Sequence, residues 1–157
     1  MRPIQRLIGL SRRFTAERHA WGRSILQLAA ELEASGQKLD AKIAGKPDTV
    51  GNREALAHWV GIERWSQRRL RVALGERFLA DEYHAYRPDV TVGLEGLRKS
   101  LVETRAGTVE LARHLHEAGV DPTFKIRHND MGDVSVTGWL SYLLQHPVQE
   151  SIGRLRG

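Results

Sequence analysis

Apolar residues recur at helical spacing in four segments of the chain. The third segment is the clearest, with apolar positions alternating at steps of three and four. The pattern predicts helices over about 13–35, 53–74, 92–118 and 135–155. Gly36, Gly75 and Gly119 follow the first three segments and are predicted helix stops. Asn52 is the predicted N-cap of the second helix.

Three linkers of about fifteen residues separate these helices, and each contains a proline. They cover 37–51, 76–91 and 119–134. No strand-like alternation of useful length occurs in them, although residues 122–127 could be extended. We therefore expect one all-α domain spanning 1–157, a four-helix bundle.

Five polar residues occupy positions of the predicted helices where the pattern requires apolar ones. They are His58, Thr104, Thr108, His146 and Glu150. An unpaired polar group in the interior costs about 1–3 kcal/mol, and an unpaired carboxylate costs more. These side chains must therefore contact one another, water or an ion, and a shared polar chamber satisfies all of them.

The helix order decides whether His58 can meet His146 and Glu150. His58 lies near the start of the second helix, and the other two lie near the end of the fourth. An up-down-down-up bundle places these positions at the same end. The second helix would be about 33 Å long, and the linker 76–91 can span about 50 Å, so the required crossover is possible.

Two imidazoles and a carboxylate form a common ligand set for a divalent metal. The chain has no cysteine, so any metal must be held by nitrogen and oxygen atoms. Zinc, nickel, iron and manganese all accept such ligands. Two other interpretations fit the spacing: a buried hydrogen-bonded His–carboxylate network, and a solvated Glu150 at a frayed helix end.

Two segments resemble the DinB/YfiT-like family. One is NREALAHWVGIERWSQRRLRVALGE, around the first histidine, and the other is HNDMGDVSVTGWLSYLLQHPVQESIGRL, at the C-terminal end. The resemblance implies an up-down-down-up bundle, often a homodimer, with three metal ligands near one end. Some of these proteins are transferases or isomerases that use low-molecular-weight thiols such as mycothiol or bacillithiol.

The resemblance places the first two ligands on His58 and His146, and the third on Glu150. The third family position is a histidine, so Glu150 is a departure that favours a harder cation if it ligates. Pro147 is a second departure, because proline inside a helix removes a hydrogen bond and costs about 3 kcal/mol. It could re-aim His146 or bend the final turns.

Three functions are compatible with the sequence. The first is a metal-dependent enzyme, a thiol-linked transferase or a hydrolase. The second is a non-catalytic, stress-related dimeric module with a vestigial or ligand-binding polar pocket. The third, a nucleic-acid binder, is suggested by the net charge of +5 and the family's damage-inducible label. The arginines are scattered, which favours a solvated basic surface over a nucleic-acid footprint.

The sequence also predicts where the protein is located and what several residues outside the candidate site do. No apolar run is long enough to span a membrane, and we expect a cytoplasmic protein. Glu63 is expected to form a surface salt bridge, because it lies about 140° from His58 around the helix. His128 is expected to stabilise the turn before the fourth helix. The tryptophans are expected to be core or dimer contacts, and the linker segment 81–88 either covers the pocket or packs as an ordinary linker.

Overall fold

The computed structural model describes the backbone of residues 3–156, and the side chains of residues 8–150, Leu155 and Arg156. This part of the chain is mostly helical, with a small two-stranded sheet. The helices are α1 (Pro3–Ala20), α2 (Ile25–Ala44), α3 (Val50–Leu70), α4 (Gly93–Glu117) and α5 (Val136–Arg154). The strands are β1 (Lys125–His128) and β2 (Gly132–Ser135).

The predicted first helix, 13–35, is in fact two helices, α1 and α2. Gly22 has φ +72°, a conformation that favours glycine and turns the chain between them. Ser24 then begins α2 with a capping box: its side chain accepts from the Gln27 backbone, and the Gln27 side chain accepts from the Ser24 N–H. The predicted apolar stripe breaks here, so Phe14 is 67% exposed and Trp21 is 86% exposed.

Gly36 is not a helix stop. It lies inside α2, which continues to Ala44, and it faces the side chain of Arg105 on α4. A Cβ atom at this position would lie 2.8 Å from Arg105 Cγ, closer than side-chain contacts allow. The glycine therefore provides space for a neighbouring side chain and does not end the helix.

The other predicted helices agree closely with the structure. Residues 71–74 of the predicted second helix form a 3₁₀ turn that ends at Gly75. The N-cap of α3 is Thr49, three residues before the predicted Asn52. Asn52 is instead buried, where it donates to Pro47 O and exchanges two hydrogen bonds with the backbone of Arg156. It thus ties the end of the chain to the start of α3.

The linker 119–134 contains a hairpin that the sequence pattern did not predict. Strands β1 and β2 pair in antiparallel register, with Ile126 opposite Val134 and both side chains buried. Each strand has four residues, too few for an alternation to stand out. The last residue of β2, Ser135, caps α5 by accepting the Gly138 N–H.

The helices pack around a shared core. Helices α2 and α3 each pack against both α4 and α5, and α1 packs against α5. The tryptophans Trp59, Trp65 and Trp139 are fully buried, as expected for core residues. No helix in the described part of the chain combines the length and apolarity that crossing a bilayer requires.

Candidate metal centre

His58, His146 and Glu150 meet at one end of the helices. His58 is on the third turn of α3, and the other two are near the C-terminal end of α5. His58 Nε2 lies 3.2 Å from Glu150 Oε2, and His146 Nε2 lies 3.4 Å from Glu150 Oε1. One ligand atom from each of the three residues lies within 4.8 Å of the other two.

Glu150 is held in its charged form. Burial acts to raise the pKa of its carboxyl, but the close contacts and charges of His146 and His58 outweigh burial and lower that pKa well below its usual range. Burial, assisted by His58 and Arg12, lowers the pKa of His146 below its usual value despite the opposing effect of Glu150, so this imidazole is neutral at pH 7. A carboxylate and a neutral imidazole are the protonation states that metal binding requires.

His58 Nε2 is a buried atom without a hydrogen-bond partner in the described part of the chain. The nearby Glu150 oxygen is close but does not lie along the direction that a hydrogen bond to this nitrogen needs. Buried polar atoms are rarely left in this state. This nitrogen therefore faces the Glu150 carboxylate at 3.2 Å without a well-aligned hydrogen bond to it.

Aromatic side chains surround the three polar ones. Trp59 Nε1 donates to Glu150 Oε2 at 3.4 Å. The Tyr83 ring meets the His58 ring edge-on at 5.0 Å between centroids, and Tyr142 lies 5.2 Å from His146 in the same measure. These contacts limit the rotation of the imidazoles and fix one oxygen of the carboxylate. Tyr83 also shows that the segment 81–88 reaches the site.

Thr104 and Thr108 do not join this site, contrary to the expected single chamber. They belong to a second polar cluster around Glu63, which is 1% exposed and therefore not the surface residue that was expected. Arg105 donates from Nε and Nη2 to the two Glu63 oxygens at 2.7 and 2.9 Å, and Thr108 Oγ1 donates to Oε1 at 2.7 Å. Gln67 donates to Thr108 Oγ1 and to Thr104 O.

Pro147 is connected to the second cluster. Helix α5 continues through Pro147, which has no N–H to give to the carbonyl of Leu143 four residues earlier. Arg105 Nη2 donates to Leu143 O at 3.3 Å and so replaces the missing bond. Arg105 therefore supports the turn of α5 that carries His146, next to Pro147.

His128 has the structural role expected for it. Its Nδ1 accepts the backbone N–H groups of Asp130 and Met131 at 3.1 and 3.2 Å, which closes the hairpin turn. Its ring lies 5.0 Å from both the Trp65 and the Trp139 rings. Burial, assisted by the charges of Arg69 and Arg12, lowers the pKa of His128 to about 3.

An open cleft of about 710 Å³ leads from His58 to the protein surface. Its walls include Glu54, Tyr83, Arg87 and Arg156. A more apolar groove of about 270 Å³ lies between α2 and α4 and includes none of the three candidate ligands. Of these two cavities, only the cleft is lined by a candidate ligand, His58.

Sequence reasoning missed several residues around the site. Trp59, Arg87 and Arg105 act through contacts between elements that are distant in the chain. One local signal exists in the sequence. Gly61 lies one turn after His58, where a side chain would collide with Tyr83 and Arg87 of the crossover segment, residues 71–92 between α3 and α4. Comparisons with protein families, curated proteins and solved structures found no match to this chain.

Proposed function

We propose that this chain is a DinB-like metal-dependent enzyme, with a divalent metal held by His58, His146 and Glu150. The substrate would be a small molecule such as a low-molecular-weight thiol, and the reaction a group transfer or a hydrolysis. One observation supports this proposal most strongly. Three potential ligands from two helices converge, and the buried Nε2 of one of them has no hydrogen-bond partner in the described residues.

The donor set fits a divalent cation. Ligand atoms around a tetrahedral metal lie about 3.4 Å apart for metal–ligand distances of about 2.1 Å. The two contacts of Glu150 fall near this value, with Oε2 3.2 Å from His58 Nε2 and Oε1 3.4 Å from His146 Nε2. One ligand atom from each residue lies within 4.8 Å of the other two, so the three residues are close enough to share one ion after local adjustment. Zinc, nickel, iron and manganese all suit these ligands, and Glu150 favours the harder of them.

The chemistry would depend on this chain's residues as much as on the metal. A bound divalent metal acts as a Lewis acid and lowers the pKa of a ligated water or thiol. Glu150 supplies one negative charge, and the indole of Trp59 keeps its carboxylate in place. The cleft beside His58 gives the substrate access, while Tyr83 and Tyr142 exclude water from the sides of the imidazoles.

The proposal includes an up-down-down-up arrangement of α2, α3, α4 and α5. Contacts between α3 and α4 support a parallel pair. Glu63 contacts Arg105, and Gln67, one turn later on α3, contacts Thr108, which is also later on α4. A long crossover, residues 71–92, connects these two helices. A parallel pair joined by a crossover is the central feature of this topology.

Contacts of the outer helices support the same topology. Helices α2 and α4 contact each other in reverse order, with Asp40 against Arg98 and Glu33 against Arg113. Helices α3 and α5 also run in reverse order: Trp65 meets Trp139, and His58, earlier on α3, meets a residue later on α5.

We also propose a cytoplasmic homodimer. Leu10 and Phe14 lie on one side of α1, Trp21 follows the last residue of this helix, and all three side chains are exposed. Exposed large apolar side chains that lie close together along the chain are typical of a surface that another protein covers. Size-exclusion chromatography with light scattering should give twice the chain mass, and Phe14→Glu should reduce it to that of one chain.

The second candidate function is a non-catalytic module with a vestigial polar pocket. It is favoured by the contacts of Glu150 with both imidazoles, which partly stabilise the carboxylate without any metal. Nucleic acid is not a proposed partner. The arginine group Arg68, Arg69 and Arg71, the densest on a helix, is paired with Glu76 and Asp81.

Elemental analysis distinguishes these two functions. The protein should be purified without a histidine tag, and the His58→Ala variant should be treated in parallel. The metal-dependent function predicts about one divalent metal per chain in the wild type and none in the variant. A wild type that takes up no metal, with the cleft open to solvent, supports the non-catalytic module and contradicts our first proposal.

A further inference from the structure

The crossover segment and α3 are built to lie close together at the cleft. A Cβ atom on Gly61 would be 2.5 Å from Arg87 Cγ and 3.2 Å from Tyr83 O, so only glycine allows this approach. His58 and Glu54 lie on the same side of α3 as Gly61. The segment therefore places the Tyr83 ring against His58 and the Arg87 side chain beside it.

Arg87 is held in the cleft with donor capacity to spare. Its stem packs on Gly61, and Nη2 donates to Glu54 Oε2. No hydrogen bond of Nε or Nη1 occurs within the part of the chain that the structure describes. A guanidinium has five N–H donors in a fixed plane, so the contact with Glu54 leaves it able to bind a second anion.

Arg156 brings a second guanidinium to the same cleft. Its backbone is fixed by the buried Asn52, which accepts its N–H and donates to its carbonyl, both at 3.1 Å. Its guanidinium has no ion pair among the described residues. Among the described residues, the cleft therefore contains two guanidiniums and one carboxylate, Glu54, which together give it a net positive charge beside His58.

We propose that Arg87 and Arg156 form a subsite for the anionic group of a small-molecule substrate. The substrate carries a carboxylate or a phosphate, and its reacting group lies at His58. This inference rests on the proposed metal site, and it adds the charge class of the substrate to it. A cleft of about 710 Å³ is the size of a small-molecule site, and arginine forks bind both anions through paired hydrogen bonds.

Hydroxamates provide a direct test, because the hydroxamate binds zinc while the other end of the molecule samples the cleft. The monohydroxamates of succinic and glutaric acid would be compared with uncharged hydroxamates of the same length. Affinities for the zinc-loaded protein would be measured by calorimetry. We expect the better carboxylate to bind about tenfold tighter or more than its uncharged counterpart, since charge-assisted hydrogen bonds are strong. A phosphonate series identifies which anion is preferred.

Variants assign the effect to the two arginines. Arg87→Gln and Arg156→Gln should each remove most of the advantage of the charged hydroxamate and leave the uncharged one unchanged. Arg113→Gln, an exposed arginine on α4 outside the cleft, is the control and should change neither. Equal affinity of charged and uncharged hydroxamates overturns the anion subsite but leaves the metal site standing. A protein that binds no zinc overturns both.

Discussion

The polar clusters around Glu63 and Glu150 differ in how many of their polar atoms have hydrogen-bond partners among the described residues. Around Glu63, both carboxylate oxygens receive hydrogen bonds from Arg105, and Thr108 adds another. Around Glu150, by contrast, His58 Nε2 has no hydrogen-bond partner in the described residues, and an open cleft reaches that imidazole. The Glu63 cluster is therefore closed to ligands, and the Glu150 cluster is open to them.

This difference separates a structural role from a binding role. Arg105 contacts Leu32 O on α2, Glu63 on α3 and Leu143 O on α5, so it joins three helices to its own. Both oxygens of the Glu63 carboxylate accept hydrogen bonds from side chains of the protein, so neither is left without a partner. The Glu150 cluster also contains a carboxylate, but its other members are imidazoles, and His58 Nε2 has no hydrogen-bond partner in the described residues. A nitrogen in this state is what a metal ion needs.

The largest expected effect is on the closed cluster. Glu63→Ala leaves the Arg105 charge buried without a partner and should lower the free energy of unfolding by about 3–5 kcal/mol. Urea denaturation of the metal-free protein measures this loss. The double variant Glu63→Leu, Arg105→Met should recover much of it, because an apolar pair of similar volume avoids the charge. A loss of less than about 1 kcal/mol in the single variant would contradict a closed structural cluster.

His128 sharpens the comparison, because it has one satisfied and one unsatisfied ring nitrogen. Its pKa in the folded protein is about 3, below the value of 6.5 for an exposed histidine. The unfolded chain therefore binds the proton first as the pH falls. The stability from the neutral ring is complete above pH 6.5 and is lost as the pH falls towards 3.

Between pH 7.5 and 5, His128 should account for a loss of about 2 kcal/mol in unfolding free energy. His146, whose pKa is also lowered, contributes in the same direction. His128→Asn keeps an acceptor for the turn but cannot take up a proton, so its stability should fall by about 2 kcal/mol less over this range. Denaturation at several pH values checks the slope, and equal slopes in both proteins would refute this role of His128.

Gly36 tests the space around Arg105. Gly36→Ala should destabilise the protein by about 1–2 kcal/mol, because the crowding of Arg105 Cγ outweighs the gain in helix propensity. Gly107→Ala is the matched control on α4, where the nearest atom lies at an ordinary 3.5 Å. It should stabilise the protein by up to about 1 kcal/mol. Thermal unfolding should show a lower melting temperature for Gly36→Ala and a higher one for Gly107→Ala. If both variants melt at a higher temperature, Arg105 can move away from position 36 at little cost, which contradicts the crowding.

The smallest effect on stability is expected in the open cluster. His58→Gln keeps most of the side-chain volume and removes a nitrogen that has no hydrogen bond, so the unfolding free energy of the metal-free protein should change by less than about 1 kcal/mol. Zinc at 100 times its dissociation constant should add about 2.7 kcal/mol to the wild type and nothing to this variant. A large loss without metal would mean that His58 is a structural residue like Glu63.

The sequence predicted the helices that have one continuous apolar stripe and a clear cap. Helix α4 matches its leucine stripe closely, and Ser135 was a correct start for α5. The break between α1 and α2 was not predicted, because apolar residues continue at helical spacing across Gly22. Its local signal was present in the capping box of Ser24 and Gln27.

The candidate site was partly predictable for a related reason. His58, His146 and Glu150 were identified because each interrupts an apolar face, and a long linker allowed those faces to meet. The prediction for Glu63 was wrong. Its position on the opposite side of the helix from His58 indicated a surface residue, but the side chain is buried. Helix α3 packs against α4, α5 and the crossover, so more than one of its faces is buried. The contact of Arg105 with the carbonyl freed by Pro147 joins distant elements and leaves no local pattern.

The most direct test of the open cluster is a calorimetric titration of the metal-free protein with zinc at pH 7.5. We expect one saturable site per chain, with affinity lowered at least about tenfold by Glu150→Gln and abolished by His58→Ala or His146→Ala. In Glu63→Gln, which lies in the closed cluster, any zinc binding by folded protein should be retained. A wild type that shows no saturable heat, or ligand variants that bind as it does, would contradict the assignment of a metal to this site.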